Sequence, residues 1–133
     1  MKIPELPCNI EIFCQINPSE DVQKIEEAIT NIFPDIKITK NSEEIRAVSK
    51  KIESLSEIFE IIHNRRIKNA YRRILNQNLS ENSTWFYLNR QAAYVGTIAL
   101  CNDKDESPLG PIEVVLISGQ IEQIIDWLTS NRA

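Results

Sequence analysis

Residues 54–79 form the longest part of this chain that lacks both glycine and proline, and their pattern predicts helix. At about 100° per residue, the apolar residues of the first half fall on one face of that helix. Those of the second half fall on a face rotated by about a third of a turn. A straight helix cannot bury both faces in one core. The pattern therefore predicts a kink, a bulge or two helices that meet near residues 63–65.

The second half of this stretch is strongly basic, and no Asp or Glu lies between His63 and Ser80. Arginine forks bind phosphate oxygens in pairs and lysine adds a point charge, so this face predicts contact with a nucleic-acid backbone. The alternative is an ordinary solvated helix face, because Lys and Arg are good helix formers. The basic stripe consists of Arg65, Lys68 and Arg72, flanked by Arg66 and Arg73.

The rest of the chain alternates strand patterns with helical ones. Residues 9–16 place an apolar side chain at every second position, which is typical of a half-buried strand. Ile112–Ile117 is almost continuously apolar, which indicates a central strand. The predicted order is β-α-β-β-α-β-β-β-α in a single domain over residues 1–133. We expect a two-layer α+β fold, with a largely antiparallel sheet and helices packed on one face.

Charge and hydropathy exclude several classes of protein. The chain carries 15 basic and 19 acidic residues, for a net charge of −4. This balance argues against a surface that binds nucleic acid everywhere, but it permits a local basic patch. The first residues lack the apolar core of a signal peptide, and no apolar run reaches the length of a membrane span. We therefore expect a cytoplasmic protein that does not bind membranes.

Catalytic and metal-binding patterns are absent from the sequence. His63 is the single histidine and has no nearby partner for acid-base chemistry. Cys8, Cys14 and Cys101 show no metal-ligand spacing, and the three glycines form no phosphate loop. We therefore expect a protein that is not an enzyme and that binds neither cofactor nor metal.

Three consecutive aromatic residues, Trp85, Phe86 and Tyr87, lie in a predicted strand at residues 84–89. Successive side chains of a strand point to opposite faces, so these rings lie on both sides of the sheet. Exposed rings beside basic residues can stack on unpaired bases. They can equally bind a protein partner. The simplest alternative is a core ring with partial cover over the others.

Two segments carry a family resemblance. They are residues 88–96, LNRQAAYVG, and residues 107–114, SPLGPIEV, with shorter matches at residues 18–22, 33–34 and 72–75. Together these segments resemble a family of small uncharacterised archaeal proteins described as predicted RNA-binding proteins. The resemblance implies a fold like that of the fifth large-subunit ribosomal protein. It also implies that RNA and RNA-processing proteins are the partners.

The resemblance also singles out the polar pair Arg90 and Gln91. Family members usually carry lysine where this chain has Arg90, so the positive charge is kept. The resemblance implies that this pair extends the RNA-binding site. An equally weighted alternative is structural, with Gln91 bonding backbone at a tight crossing of chain segments.

Two functional hypotheses follow from these patterns. The first is a non-catalytic RNA-binding domain whose basic stripe contacts the phosphate backbone. The second is a protein-interaction or oligomerisation module with no nucleic-acid role.

Overall fold

The computed structural model describes residues 3–130. Its strands are β1 (Asn9–Gln15), β2 (Lys37–Lys40), β3 (Glu44–Ser49), β4 (Ser83–Leu88), β5 (Leu100–Cys101) and β6 (Ile112–Ile117). These six strands form one sheet in the order β2-β3-β1-β6-β4-β5, and all neighbours are antiparallel. The first and the last strand are thus neighbours at the centre of the sheet.

The helices of the described part of the chain lie between and after the strands. They are α1 (Val22–Ile32), α2 (Ser56–Asn64), α3 (Lys68–Gln77), α4 (Arg90–Tyr94) and α5 (Ile121–Thr129). Short 3-10 turns occupy Ile52–Leu55 and Lys104–Glu106. Among residues 3–130, no helix has the length and apolar character needed to cross a membrane.

The sheet has one buried face and one open face. In β1, for example, Ile10, Ile12 and Cys14 are buried, whereas Glu11 and Phe13 point to the other side. Strands β4 and β6 alternate in the same way, as the two-residue period of a strand requires. The apolar faces of the helices pack on the buried side. The predicted α+β class, with helices on one face of a largely antiparallel sheet, is confirmed.

Residues 54–79 fold as two helices, which confirms the predicted break. Helix α2 ends at Asn64 and α3 begins at Lys68. Between them Arg66 has a φ of 56°, in the left-handed region that interrupts a right-handed helix. The change of direction lets both apolar faces reach the same core.

Residues 90–100 differ from the strand that the predicted order implies. They begin with helix α4, and β5 is confined to Leu100–Cys101. The side chain of Asn89 accepts a hydrogen bond from the Ala92 amide at 2.9 Å, which caps the helix. Asparagine is a preferred N-cap residue, and the following residues lack the alternation of a strand. The number of strands is as predicted, but the fifth is shorter and lies later.

The hydroxyl of Tyr71 is an unsatisfied group in the core. Tyr71 is fully buried against Phe86, and its hydroxyl has no hydrogen-bonding partner within residues 3–130. Leaving a buried hydroxyl unpaired costs about 1–3 kcal/mol. We expect Tyr71→Phe to raise the free energy of unfolding by about 1 kcal/mol in urea denaturation.

A matched control for this substitution is Tyr94→Phe. The Tyr94 hydroxyl donates to Glu20 at 2.5 Å, so its loss is expected to destabilise the protein. Destabilisation by Tyr71→Phe of the same size as that by Tyr94→Phe would contradict the assignment of an unpaired hydroxyl.

Candidate functional site

Residues from the sequence motifs meet in a buried polar cluster around Glu20. One carboxylate oxygen, Oε1, accepts from Arg90 Nη1 at 2.5 Å and from Asn17 Nδ2 at 2.7 Å. The other, Oε2, accepts from the Tyr94 hydroxyl at 2.5 Å. The side chain of Arg90 is fully buried and that of Glu20 is 4% exposed. We call Asn17, Glu20, Arg90 and Tyr94 the Glu20 cluster.

The electrostatics of the cluster favour a permanent ion pair. Burial by itself raises the pKa of Glu20, but hydrogen bonds from Tyr94, Asn17 and Arg90 outweigh burial and lower the pKa to about 2. Burial and the Glu20 carboxylate raise the pKa of Tyr94. A general acid or base works best with a pKa near the operating pH. Neither Glu20 nor Tyr94 meets that condition near neutral pH.

Hydrogen bonds connect the second motif, residues 107–114, to the Glu20 cluster and to Gln91 beside it. The Arg90 amide donates to Ser107 Oγ at 2.9 Å, and Gln91 Nε2 donates to the Pro108 carbonyl at 2.8 Å. Asn17 Nδ2 also donates to the Leu109 carbonyl at 2.9 Å. The motif residues therefore join α4, the loop before β6 and the segment before α1.

This arrangement corrects the assignment of Arg90 to an RNA-contacting surface. Its guanidinium is inside the protein and faces Glu20, so a phosphate outside the fold cannot reach it. The side-chain amide of Gln91 donates to the Pro108 carbonyl. This contact is the one expected if Gln91 has a structural role and bonds backbone. The positive charge at Arg90 serves a buried ion pair in this fold.

Sequence reasoning did not identify Glu20 and Tyr94 as partners of Arg90. Both lie inside the matched motifs, at residues 18–22 and 88–96. The ion pair could have been suspected because one motif contains a carboxylate, Glu20, and another contains a basic residue, Arg90. Their separation of 70 residues along the chain concealed it.

The basic stripe does not form one helix face. Arg65 and Arg66 lie in the turn between α2 and α3, whereas Lys68, Arg72 and Arg73 belong to α3. The helical spacing that placed Arg65 in line with Lys68 and Arg72 is interrupted by the left-handed Arg66. These five residues are close in the chain, but they are divided between the turn and helix α3.

Arg72 differs from the other cations of the stripe because it contacts α5. Its Nη2 lies 3.3 Å from Asp126 Oδ1 and donates to the Thr129 carbonyl at 3.3 Å. The other four form no ion pair within 4.0 Å with a carboxylate of residues 3–130. We call these four the basic turn: Arg65, Arg66, Lys68 and Arg73.

A polar pocket of about 350 Å³ opens beside the basic turn, lined by His63, Arg66, Lys68 and Asn69. Helix α3 begins here without a side-chain cap, and its first turn has no acidic residue. The first amides of a helix lack partners inside the helix and favour an anion. The pocket therefore combines two cationic side chains with the positive end of a helix.

His63 supports this pocket from the α2 side. Its ring stacks on Phe59 with 4.0 Å between ring centroids, and its Nε2 lies 3.0 Å from the Leu128 carbonyl oxygen. Phe59 stacks in turn on Trp127 of α5 at 4.8 Å. The histidine is held by these contacts rather than paired with an acid or a nucleophile.

The open face of the sheet is a second candidate surface. Trp85 and Tyr87 are half-buried there, with 4.9 Å between ring centroids, whereas Phe86 is in the core. The guanidinium carbon of Arg46 lies 4.9 Å from the centroid of the Phe13 ring, a cation–π contact. The three consecutive aromatics thus divide between the core and a partly covered outer surface.

The three cysteines are poorly suited to act as nucleophiles or metal ligands. Burial raises the pKa of each thiol, Cys8, Cys14 and Cys101, to about 11. Because the thiolate is the nucleophile and the metal ligand, these side chains are unreactive near neutral pH. Across residues 3–130, no three His, Cys, Asp or Glu side chains are grouped to hold a metal ion.

The sequence of this chain is similar to those of archaeal proteins. A family model described as RNA binding matches residues 9–118. A UPF0201 protein of Methanothermobacter thermautotrophicus is 34% identical over 122 residues, which cover 92% of this chain and 91% of the relative. A UPF0201 protein of Sulfurisphaera tokodaii is 38% identical over 128 residues, which cover 93% and 88%.

The fold is also similar to that of a solved relative. The 2.2 Å crystal structure of a UPF0201 protein from Methanococcus jannaschii matches with a TM-score of 0.78 and 32% identity. The match covers 91% of this chain and 98% of that one. The likeness to the fifth large-subunit ribosomal protein, which the sequence resemblance implied, stays a prediction.

Proposed function

Because this chain belongs to the archaeal UPF0201 family and to the family whose model is described as RNA binding, we propose that it is a non-catalytic RNA-binding domain. Membership also confirms the resemblance to uncharacterised archaeal proteins described as predicted RNA-binding proteins. The basic turn is the surface that we assign to RNA.

The observation that carries this proposal is the cluster of four cations with no carboxylate partner in the described chain. The protein as a whole has a net charge of −4, whereas no Asp or Glu lies between His63 and Ser80, so the basic turn is a local excess of positive charge. Arg66 and Lys68 line the pocket at the start of α3, where helix amides also favour an anion. A phosphate group supplies the missing negative charge.

Phosphate contacts set the register of a protein on a nucleic acid but carry little sequence information. RNA bound at the basic turn is therefore selected by shape or by unpaired regions rather than by base-specific hydrogen bonds. Arg72 lies outside this site, because its guanidinium is bound to Asp126 and the Thr129 carbonyl. Arg90 is excluded by its burial.

Neutralising the basic turn tests the proposal. We expect the triple variant Arg66→Gln, Lys68→Gln and Arg73→Gln to bind mixed-sequence RNA at least about tenfold more weakly at low salt. Each lost phosphate contact lowers the slope of log affinity against log salt by roughly 0.7 for single strands, so the slope falls by about 2. Fluorescence anisotropy across a KCl series measures both quantities.

A matched control separates a local site from general charge. The variant Lys24→Gln, Lys37→Gln and Lys50→Gln loses the same charge from exposed positions outside the basic turn. It is expected to keep nearly the affinity and salt slope of the wild type. Equal losses in the two triple variants would contradict a local site. Absence of RNA binding by the wild type at about 50 mM salt would refute the proposed function.

A further inference from the structure

A small pocket on the open face of the sheet lies between two aromatic side chains. It is lined by Phe13 of β1, Tyr87 of β4 and Glu113 of β6, among others, and its volume is about 120 Å³. Glu113 pairs in register with Phe13 on one side and with Tyr87 on the other. Neighbouring strands are about 4.8 Å apart, so the two ring-bearing positions are about 10 Å apart. That spacing admits one flat ring, because each stacked contact takes about 3.5–4 Å.

Both rings have supporting neighbours outside the pocket. The guanidinium carbon of Arg46, on β3, lies over the Phe13 ring at 4.9 Å from its centroid. The centroid of the Trp85 ring lies 4.9 Å from that of Tyr87. Neither Arg46 nor Trp85 lines the pocket. The two rings are therefore held in place while each keeps a surface towards the pocket, which lowers the cost of ordering them around a ligand.

Three polar side chains of the same pocket, those of Gln15, Lys104 and Glu113, have no partner in the fold. Within residues 3–130, none of them forms an ion pair within 4.0 Å or a side-chain hydrogen bond. Glu113 is half-buried, and burial together with its carboxylate raises the pKa of Tyr87. A carboxylate partly removed from water is stabilised by a hydrogen-bond donor. The pocket can supply a ligand with such an acceptor.

The chemistry of these groups defines a class of ligand. A carboxylate only accepts hydrogen bonds and an ammonium only donates them. Because the charges of Glu113 and Lys104 cancel, the pocket suits a neutral flat ring whose edge carries both a donor and an acceptor. Cytosine has an amino group beside ring acceptors, and Glu or Asp accept from that amino group in base recognition. Uracil presents an acceptor at the same position.

The size of the pocket favours a base with one ring. An apolar cavity of about 150 Å³ binds a benzene ring, so a pocket of similar size accommodates one six-membered ring. The volume between Phe13 and Tyr87 is about 120 Å³, and the pocket is open to solvent where the exposed Lys104 lies. A pyrimidine fits this space better than a two-ring purine.

We propose that this pocket binds one unpaired cytosine of the RNA, stacked between Phe13 and Tyr87. The amino group of the base donates to the Glu113 carboxylate, and a ring acceptor receives from the Lys104 ammonium. Because the pocket uses the edge and both faces of the base, the base must be free of pairing and stacking. This inference rests on the proposed RNA-binding function and adds the class of RNA, a single strand that contains cytosine.

The charges of the open face give it a role in selecting the base rather than in binding phosphate. Glu11 and Glu113 lie on the central strands β1 and β6, and carboxylates repel a phosphate backbone. The uncharged base is not subject to that repulsion. The phosphate contacts, and with them the salt dependence of binding, remain with the basic turn.

A comparison of two homopolymers tests the pocket. Oligocytidylate and oligouridylate of about 20 nucleotides exceed the roughly 4–16 nucleotides that a single small domain contacts. The wild type is expected to prefer oligocytidylate at least about fivefold in fluorescence anisotropy. Glu113→Gln is expected to bring the ratio of the two affinities close to one, because an amide donates to uracil as readily as it accepts from cytosine.

The matched control is Glu11→Gln. This variant removes the same charge from the same face of the sheet, on the neighbouring strand, and Glu11 does not line the pocket. It is expected to keep the preference for oligocytidylate. An equal loss of preference in Glu11→Gln and Glu113→Gln would assign the effect to general charge and overturn the proposal.

The stacking contact has a separate signature. Tyr87→Leu is expected to weaken binding of oligocytidylate at least about fivefold, because one wall of the stack is lost. The slope of log affinity against log salt should stay at the wild-type value, since no phosphate contact is removed. The triple variant of the basic turn lowers that slope. Circular dichroism verifies that every variant is folded.

The outcomes separate this inference from the proposed function. A wild type that binds no RNA would refute both. A wild type that binds oligocytidylate and oligouridylate equally well would leave RNA binding intact and overturn the cytosine pocket. A preference for oligocytidylate that survives Glu113→Gln would place base recognition elsewhere, and the open face would then be left to a protein partner.

Discussion

Glu20→Gln is expected to lower the free energy of unfolding by about 3–5 kcal/mol, because it leaves the guanidinium of Arg90 buried without a counter-charge. Arg90 is fully buried, and Nη1 is its guanidinium atom that donates to Glu20. Glutamine keeps the shape and one acceptor oxygen, so the effect reports the missing charge. Urea denaturation followed by circular dichroism measures it.

Two substitutions of Arg90 serve as controls. Arg90→Met removes the cation and leaves Glu20 with Tyr94 and Asn17, and the double variant with Glu20→Gln removes both charges. Since an apolar replacement of a whole buried pair is often nearly neutral, the double variant should be more stable than Glu20→Gln alone. If Glu20→Gln costs less than about 1 kcal/mol, the pair is not buried in solution.

Arg90→Lys is the conservative test of the same pair. Nε and Nη2 of Arg90 contact no protein acceptor within residues 3–130, so one nitrogen carries the contact with Glu20. A lysine ammonium can make that single contact. We therefore expect Arg90→Lys to cost far less than Glu20→Gln. None of these variants should change the salt slope of RNA binding.

Acid is expected to remove stability on the order of 2–3 kcal/mol through Glu20 alone. Hydrogen bonds hold the pKa of this group at about 2 in the folded protein despite its burial. In an unfolded chain a glutamate titrates near about 4.3. The stabilisation is therefore fully present above about pH 5 and is lost as the pH falls towards 2.

Other carboxylates also titrate in this range, so the informative quantity is a difference between two proteins. The gap in unfolding free energy between the wild type and Glu20→Gln should be largest at neutral pH and should shrink steadily below pH of about 5. Urea titrations at a series of pH values measure this gap. A gap that is constant down to pH of about 2 would contradict the lowered pKa of Glu20.

Local patterns predicted the elements whose signals lie within a few residues. The alternation at residues 9–16 identified β1, and the change of apolar face within residues 54–79 identified the break between α2 and α3. Helix α4 was missed because its five residues are too few to show a helical period. Its main signal was the N-cap Asn89, which the prediction placed at the end of the strand at residues 84–89.

The candidate site was predictable only in part, and for a physical reason. The basic residues were visible because they lie close together in the chain, and the basic turn retains four of them. The pairing of Arg90 with Glu20 was not visible, since 70 residues separate them and each is an ordinary charged residue in sequence. Arg72 likewise appeared free until the packing of α5 brought Asp126 beside it.

Patterns along the chain were enough to predict the α+β class, the helix break, the local excess of positive charge and the family. These follow from periodicity, composition and motifs, which depend on near neighbours. The folded structure was needed to see which charges are buried, which cations have partners and which face of the sheet is open. Those properties depend on burial and on contacts between distant segments, which local sequence does not encode.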